Sequence, residues 1–128
     1  MSGISVTIKA LLANATVTGA SGTRIYPFPI PLGTALPAIA VGMSGEDDQY
    51  TLSGANQFPE TSVQIHCIAA KAKDAIELGE KVRGALQDLH YTTGGADAWW
   101  SKEPLDFTDF ADDQSTYRRV MSFAVRWR

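Results

Sequence analysis

Cysteine is almost absent from this chain. Cys67 stands alone among 128 residues, which excludes an intramolecular disulfide and any metal clip built on spaced thiolates. Histidine is nearly as scarce, with only His66 and His90. No apolar run approaches the ~20 residues a membrane helix needs. The opening Met-Ser-Gly-Ile-Ser-Val lacks the basic region and apolar stretch of a signal peptide. A soluble protein made in a reducing compartment is the expectation. Basic excess is missing too: the net charge of −3 argues against a general nucleic-acid binder, which would be strongly basic. There is no glycine-rich loop with a following lysine to cradle a phosphate, since the stretch from Gly19 to Gly22 is short and has no such lysine.

What remains is an ordinary folded composition, 45% apolar and 20% charged. Residues 1–128 are expected to form one domain, burying about two-thirds of the surface of the unfolded chain. Charge is unevenly placed. Asp97, Glu103, Asp106, Asp109, Asp112 and Asp113 face a single base, Lys102, and the end of the chain then carries Arg118, Arg119, Arg126 and Arg128 with no acid. Such a division pairs within one subunit or between subunits; two separately solvated faces are the plainer alternative.

Residues 115–128 alternate along their whole length. Tyr117, Arg119, Met121, Phe123, Val125 and Trp127 fall on one face, and Arg118, Val120, Ser122, Ala124, Arg126 and Arg128 on the other. That is the pattern of a half-buried strand. Fully extended it spans roughly 45 Å at about 3.3 Å per residue, while a domain of this size is ~30 Å across. The strand is expected to bend sharply or to overhang its own domain and meet another chain.

Upstream, Ile4, Ile8, Leu11 and Leu12 predict a short helix over residues 2–14, capped by Ser2 or Ser5, and residues 15–23 form a turn-rich segment. Residues 24–33 hold Pro27, Pro29 and Pro31 at alternate positions, which exclude helix or central strand. Tyr26, Phe28, Ile30 and Leu32 are nevertheless too apolar for an exposed loop. This arm either folds back over its own core or docks on a neighbouring subunit. Residues 38–44 predict a strand with a face of small residues (Ala38, Ala40, Gly42), residues 45–48 a hairpin tip, and residues 50–52 the start of the return strand. Residues 61–69 alternate again. Residues 71–89 give the strongest helix, with Ala72, Ala75, Ile76, Gly79, Val82, Leu86 and Leu89 on one stripe. Residues 96–107 predict a strand that Pro104 marks as edge or bulge. The fold class is therefore α+β, a mainly antiparallel sheet with two helices packed on one face and an extended loop or arm.

Chemistry is poorly represented. His66 and Cys67 are neighbours on a strand and point to opposite faces, so they form no nucleophile–base pair. Cys67 is expected in the core, and His90 at the end of the long helix. Asp106, Asp109, Asp112 and Asp113 lack the ligand spacing and central glycine of a calcium loop. Adjacent Trp99 and Trp100 face opposite ways, so one enters the core and the other is a candidate interface anchor.

Several segments together resemble the tail-completion or tail-terminator proteins of long-tailed phages, prophages and gene transfer agents. They are Gly22-Thr23-Arg24-Ile25-Tyr26-Pro27, Leu36-Pro37-Ala38-Ile39, Ser44-Gly45-Glu46, Tyr50-Thr51-Leu52-Ser53-Gly54 and Thr61-Ser62-Val63-Gln64-Ile65-His66-Cys67. A helix with Ala75, Ala85 and Leu86 follows, and the chain closes on Tyr117-Arg118-Arg119 and a strand ending in Trp127. The resemblance implies a structural protein of the virion neck, assembled in the host cytoplasm. It implies a hexameric ring that caps the tail tube, ends its polymerisation and joins tail to head, with DNA passing through the central hole. The implied partners are copies of the chain, the tail tube protein and a head-side connector or stopper protein. No catalysis, cofactor, metal or membrane partner is expected. The candidate subunit-interface residues are Tyr26, Phe28, Ile30, Leu32, Trp99, Trp100, Arg118, Arg126 and Trp127. The competing readings are a small dimeric enzyme or ligand-binding domain, in which His66, His90 or the aspartates converge on a cavity, and another head–tail connector component.

Overall fold

The computed structural model describes residues 3–47, 50–51, 54–55, 60–93, 96–111 and 115–127. The chain is α+β. Three helices, α1 (Gly3–Leu12), α2 (Ala15–Ser21) and α3 (Ala72–Leu86), accompany a six-stranded sheet. Its strands are β1 (Ile25–Pro27), β2 (Ala38–Asp47), β5 (Glu60–Ala69), β6 (His90–Thr93), β7 (Ala96–Phe110) and β8 (Tyr117–Trp127). A separate two-stranded piece pairs β3 (Tyr50–Thr51) with β4 (Gly54–Ala55). Residues 50–52 were expected to begin the strand returning along β2, but that strand is β5, and β2 itself runs on through residues 45–47.

The second helix is a departure from the expected turn. Asn14 Oδ1 accepts from the backbone N–H groups of Thr16 at 3.0 Å and Val17 at 3.2 Å, satisfying donors that a helix start leaves open. Gly22, at φ 62°, then ends it. In α1 the buried residues are Gly3, Val6, Thr7, Ala10 and Leu11, while Leu12 is exposed. Thr7 replaces an apolar residue on the inner stripe because its hydroxyl is fully used. It donates to the Gly3 carbonyl at 2.6 Å and accepts from Trp100 Nε1 at 3.0 Å.

The sheet order is β1-β2-β5-β8-β7-β6; β1 and β2 are parallel, and the other neighbours antiparallel. The core lies between the helices and one face of the sheet. Ile39, Val41, Val63, Ile65, Cys67, Met121, Phe123, Val125 and Trp100 meet Val6, Leu11, Leu78, Val82 and Leu86 there. Burial pushes the Cys67 thiol up to about 12, so it is a small core residue without thiolate character. Pro104 falls in an irregularity of β7: Lys102 opposes Phe123 and Asp106 opposes Met121, leaving two extra residues on β7.

The overhang expected of the last strand does not occur. β8 is hydrogen-bonded along both edges, to β5 from Tyr117 to Arg126 and to β7 from Tyr117 to Trp127. Its length is accommodated because its partners are also long, 10 and 15 residues. The arm likewise turns back on its own subunit. Its first residues join β2 as the edge strand β1, the Phe28 N–H donates to the Val41 carbonyl at 3.0 Å, and the Phe28 side chain lies over Gly42. Gly42, on the small face of β2, is therefore covered by the arm's own root.

On α3 the inner stripe is Ala75, Leu78, Gly79, Val82 and Leu86, with Ile76 turned outward. Gly79 sits where Arg119 of β8 passes the helix. A Cβ there would lie 2.4 Å from Arg119 Cδ, and that side chain is held by Asp106, Glu80 and the Ile76 carbonyl. Gly84 of the same helix has nothing within 4 Å of a built Cβ. Gly79→Ala is expected to destabilise by about 1–3 kcal/mol through overpacking, whereas Gly84→Ala is expected to stabilise by about 0.5–1 kcal/mol. Opposite signs in urea denaturation check this; two substitutions of the same sign would refute the close approach at Gly79.

Candidate assembly surface

The face of the sheet away from the helices carries a polar cluster under the arm. Arg118 grips Asp109 with two parallel bonds, Nε to Oδ1 at 2.7 Å and Nη2 to Oδ2 at 2.9 Å. These residues are register partners on β8 and β7. Nη1 of the same guanidinium lies 3.2 Å from His66 Nδ1 on β5. Arginine can only donate, so Nδ1 must be the unprotonated acceptor. The Phe28 ring tilts over the imidazole with centroids 5.0 Å apart. Burial and the neighbouring Arg118 hold the His66 pKa below its ordinary value, partly opposed by Asp109. Asp109 is itself lowered by its bonds to Arg118.

Large apolar groups are exposed on the arm, where Phe28 covers this cluster, and along the β7–β8 hairpin. Phe28 is 55% exposed, Phe107 41% and Phe110 57%, and Leu32 is completely exposed at the far point of the arm. A shallow cavity of about 280 Å³ opens beside them, lined by Ile68, Asp109, Phe110, Ala111, Thr116 and Arg118.

The sequence candidates fall into three groups. Phe28 and Arg118 meet through His66, with Tyr26 and Ile30 half-buried at the arm's root and Leu32 beyond them. Trp99 and Arg126 are cross-strand partners at the other end of the sheet; Trp99 stacks on His90 at 4.6 Å, and Arg126 donates to Glu60 at 2.9 Å. Trp100 and Trp127 are buried. Of the two adjacent tryptophans, Trp100 enters the core and Trp99 stays outside.

His90 opens β6 and does not cap α3. His66 and His90 sit opposite positions six residues apart along β8, roughly 20 Å. They do not converge on one cavity. Asp106 and Asp109 are taken up by Arg119 and Arg118, and Asp112 and Asp113 lie outside the described residues. Among the described residues no group of three histidine, cysteine or acidic side chains is placed to hold a metal, and no helix is long and apolar enough to cross a membrane. The His66–Arg118–Asp109 cluster was missed in the sequence, where its members are up to 52 residues apart and only strand register unites them.

A family model described as "Tail completion protein gp17" matches residues 7–128. The chain belongs to the tail completion protein gp17 family. Its role is therefore structural, in the assembly of a phage-type tail. In fold it is similar to a chain from the virion of a native gene transfer agent particle, with a TM-score of 0.75 and 19% identity over 98% of this chain and 93% of that one. A search of curated proteins found no significant match.

Within this tail-completion chain, the lowered pKa of His66, under the Phe28 ring, is expected to make stability depend on pH. Its folded pKa lies below the unfolded value of about 6.5, so the unfolded state takes up the proton first. The stability in question is present above about pH 6.5 and is lost as pH falls through the folded pKa. A proton on Nδ1 would also face Arg118 directly. His66→Gln, which keeps an acceptor for Arg118, is expected to remove the part of the stability loss that lies between about pH 7 and pH 5. Denaturation midpoints across that window test it; identical pH profiles for both proteins would refute it.

Proposed function

We propose that this chain forms a hexameric ring that caps the tail tube at the neck of the particle. The ring stops tube polymerisation and presents the surface that joins tail to head. Its partners are further copies of itself, the tail tube protein below and a connector or stopper protein above, and it assembles in the host cytoplasm. DNA crosses the central hole as cargo, for which a net charge of −3 is suitable because few phosphate contacts would retard it.

The observation that carries this reading is the exposure of Phe28, Leu32, Phe107 and Phe110 on the arm and the β7–β8 hairpin of a chain of the tail-completion family. Large apolar side chains left exposed are a mark of protein contact. Ring-closing contacts are heterologous, one patch meeting a different patch on the next copy, and an exposed arm and an exposed hairpin provide two such patches. No observation favours a dimeric enzyme.

The test is native mass and particle imaging with and without tail tubes. The expected result is a species of six times the 13.8 kDa chain, seated on tube ends that no longer grow. Leu32→Asp should weaken ring formation about tenfold or more, since burying a leucine contributes roughly 1.5–3 kcal/mol. It should leave the fold's own stability unchanged, because this side chain is fully exposed. A chain that remains monomeric and leaves tubes growing would overturn the proposal.

A further inference from the structure

Each end of the sheet is covered over only part of its length. At one end β1 pairs with β2 at Ile39, Ala40 and Val41 and goes no further, so from Gly42 to Asp47 the outer edge of β2 has no partner strand among the described residues. At the other end β6 pairs with β7 from Ala96 to Trp99, and the Trp100 N–H reaches the Leu89 carbonyl at 3.0 Å. From Ser101 to Phe110 the outer edge of β7 is likewise without a partner strand among the described residues. Open edges present rows of backbone donors and acceptors and are templates for pairing with another chain.

Part of the β7 edge is blunted. Pro104 has no N–H to offer, and the Lys102 ammonium binds the carbonyls of Glu103 at 2.5 Å and Leu105 at 3.1 Å. Residues 106–110 carry no such device. The Ala111 N–H points toward β8, where it donates to the Thr116 carbonyl at 3.0 Å. By alternation, the N–H groups of Thr108 and Phe110 point away from β8, to the open side. On β2 the Ile39 N–H and Val41 carbonyl point outward, to Arg24 and Phe28, so Met43 points outward as well.

We propose that copies of this chain join edge to edge, residues 106–110 of one copy pairing antiparallel with residues 42–47 of the next. The inference rests on the ring reading and specifies how that ring closes. Three features commit it to a second copy rather than to another protein. The two free edges lie at opposite ends of one sheet, as a head-to-tail contact requires. Their directions agree: β2, β5, β8 and β7 alternate, so β7 runs opposite to β2 and meets a like-oriented neighbour's β2 antiparallel. Their free halves are also offset. Through β8 and β5, Asp106 is level with Val41, where β1 already sits, so the neighbour must shift along the strands by about five residues, or ~17 Å. A sheet closes on itself only when its strands tilt and its register staggers. The offset gives that stagger, and it leaves β1 and β6 clear of each other.

Thr108→Pro tests the pairing, because proline is tolerated on an edge where the lost N–H faces outward. Thr108→Val keeps the N–H and is the control. The expected result is that Thr108→Val forms rings like the unmodified chain, while Thr108→Pro folds but loses more than about tenfold in apparent ring affinity. A second readout covers the case of Thr108→Pro failing to fold. In a Met43→Cys, Thr108→Cys chain, both side chains lie on the helix-bearing face of the sheet, and a short bis-maleimide should link successive copies into a ladder. Cys67 is buried and stays silent. Rings that form normally with Thr108→Pro, or that give no cross-linked ladder, would overturn the edge pairing and leave the ring itself standing. A chain forming no ring, even on tube ends, would overturn both.

Discussion

Two adjacent arginines on the central strand fasten the lower half of the fold. Arg118 and Arg119 point to opposite faces of β8, and each is gripped by a carboxylate of β7, Asp109 on the outer face and Asp106 on the helix face. Arg119 is the more demanding of the two. Its side chain is 8% exposed, and its guanidinium also binds Glu80 at 2.7 Å and the Ile76 carbonyl at 3.2 Å, tying the hairpin to α3. A buried guanidinium deprived of its partner costs on the order of 3–5 kcal/mol. The absence of a side chain at Gly79 is what lets the arginine pass. Desolvation, hydrogen bonding and helix–sheet spacing therefore meet at one residue.

The clamps matter because, among the described residues, this part of the sheet has no neighbouring strand on one side. Beyond Trp100, β7 is an edge strand among the described residues, paired to β8 on one side, so its outer margin gains no support from a further strand. Arg118 and Arg119 keep it in line with the rest of the sheet, and it can present Phe107 and Phe110 and its outward N–H groups in a fixed geometry. A surface ordered in advance loses less conformational entropy on association. The arm follows the same rule, since its root is pinned by β1 pairing and by Phe28 over His66 before Leu32 meets anything.

Much of this architecture was legible in the chain. The alternation in residues 117–127, the break at Pro104 and the opposed fates of Trp99 and Trp100 follow from side-chain periodicity, as does most of the α3 stripe, although Leu78 rather than Ile76 faces inward. The failures have one physical source, the lateral partners of a strand. Comparing the length of β8 with a domain diameter suggested an overhang, but β5 and β7 are long enough to pair with it fully. The acidic and basic segments were seen, yet only register shows that Asp109 faces Arg118. The α2 helix hung on one capping side chain, Asn14. Of the candidate surface, the apolar arm was visible because its residues are conspicuous. The open edges were not, because an edge is defined by what fails to pair with it.

This internal pairing alters how association between copies must be understood. An acidic segment beside a basic strand suggests subunits that attract by charge, but Arg118, Arg119 and Arg126 each already hold a carboxylate of their own chain. Recruiting Arg118 or Arg119 across an interface would first break a bidentate pair, Arg119's in a largely dry setting, and would gain little in exchange. Contacts in the proposed ring must therefore come from groups that remain available: backbone donors and acceptors on the two edges, and the apolar side chains of the arm and hairpin. Bonds of that kind depend on geometry rather than on net charge and are little screened by salt. They also suit a closure in which every joint must repeat the same angle. A strand pairing fixes direction and register residue by residue, whereas attraction between charged patches tolerates many orientations.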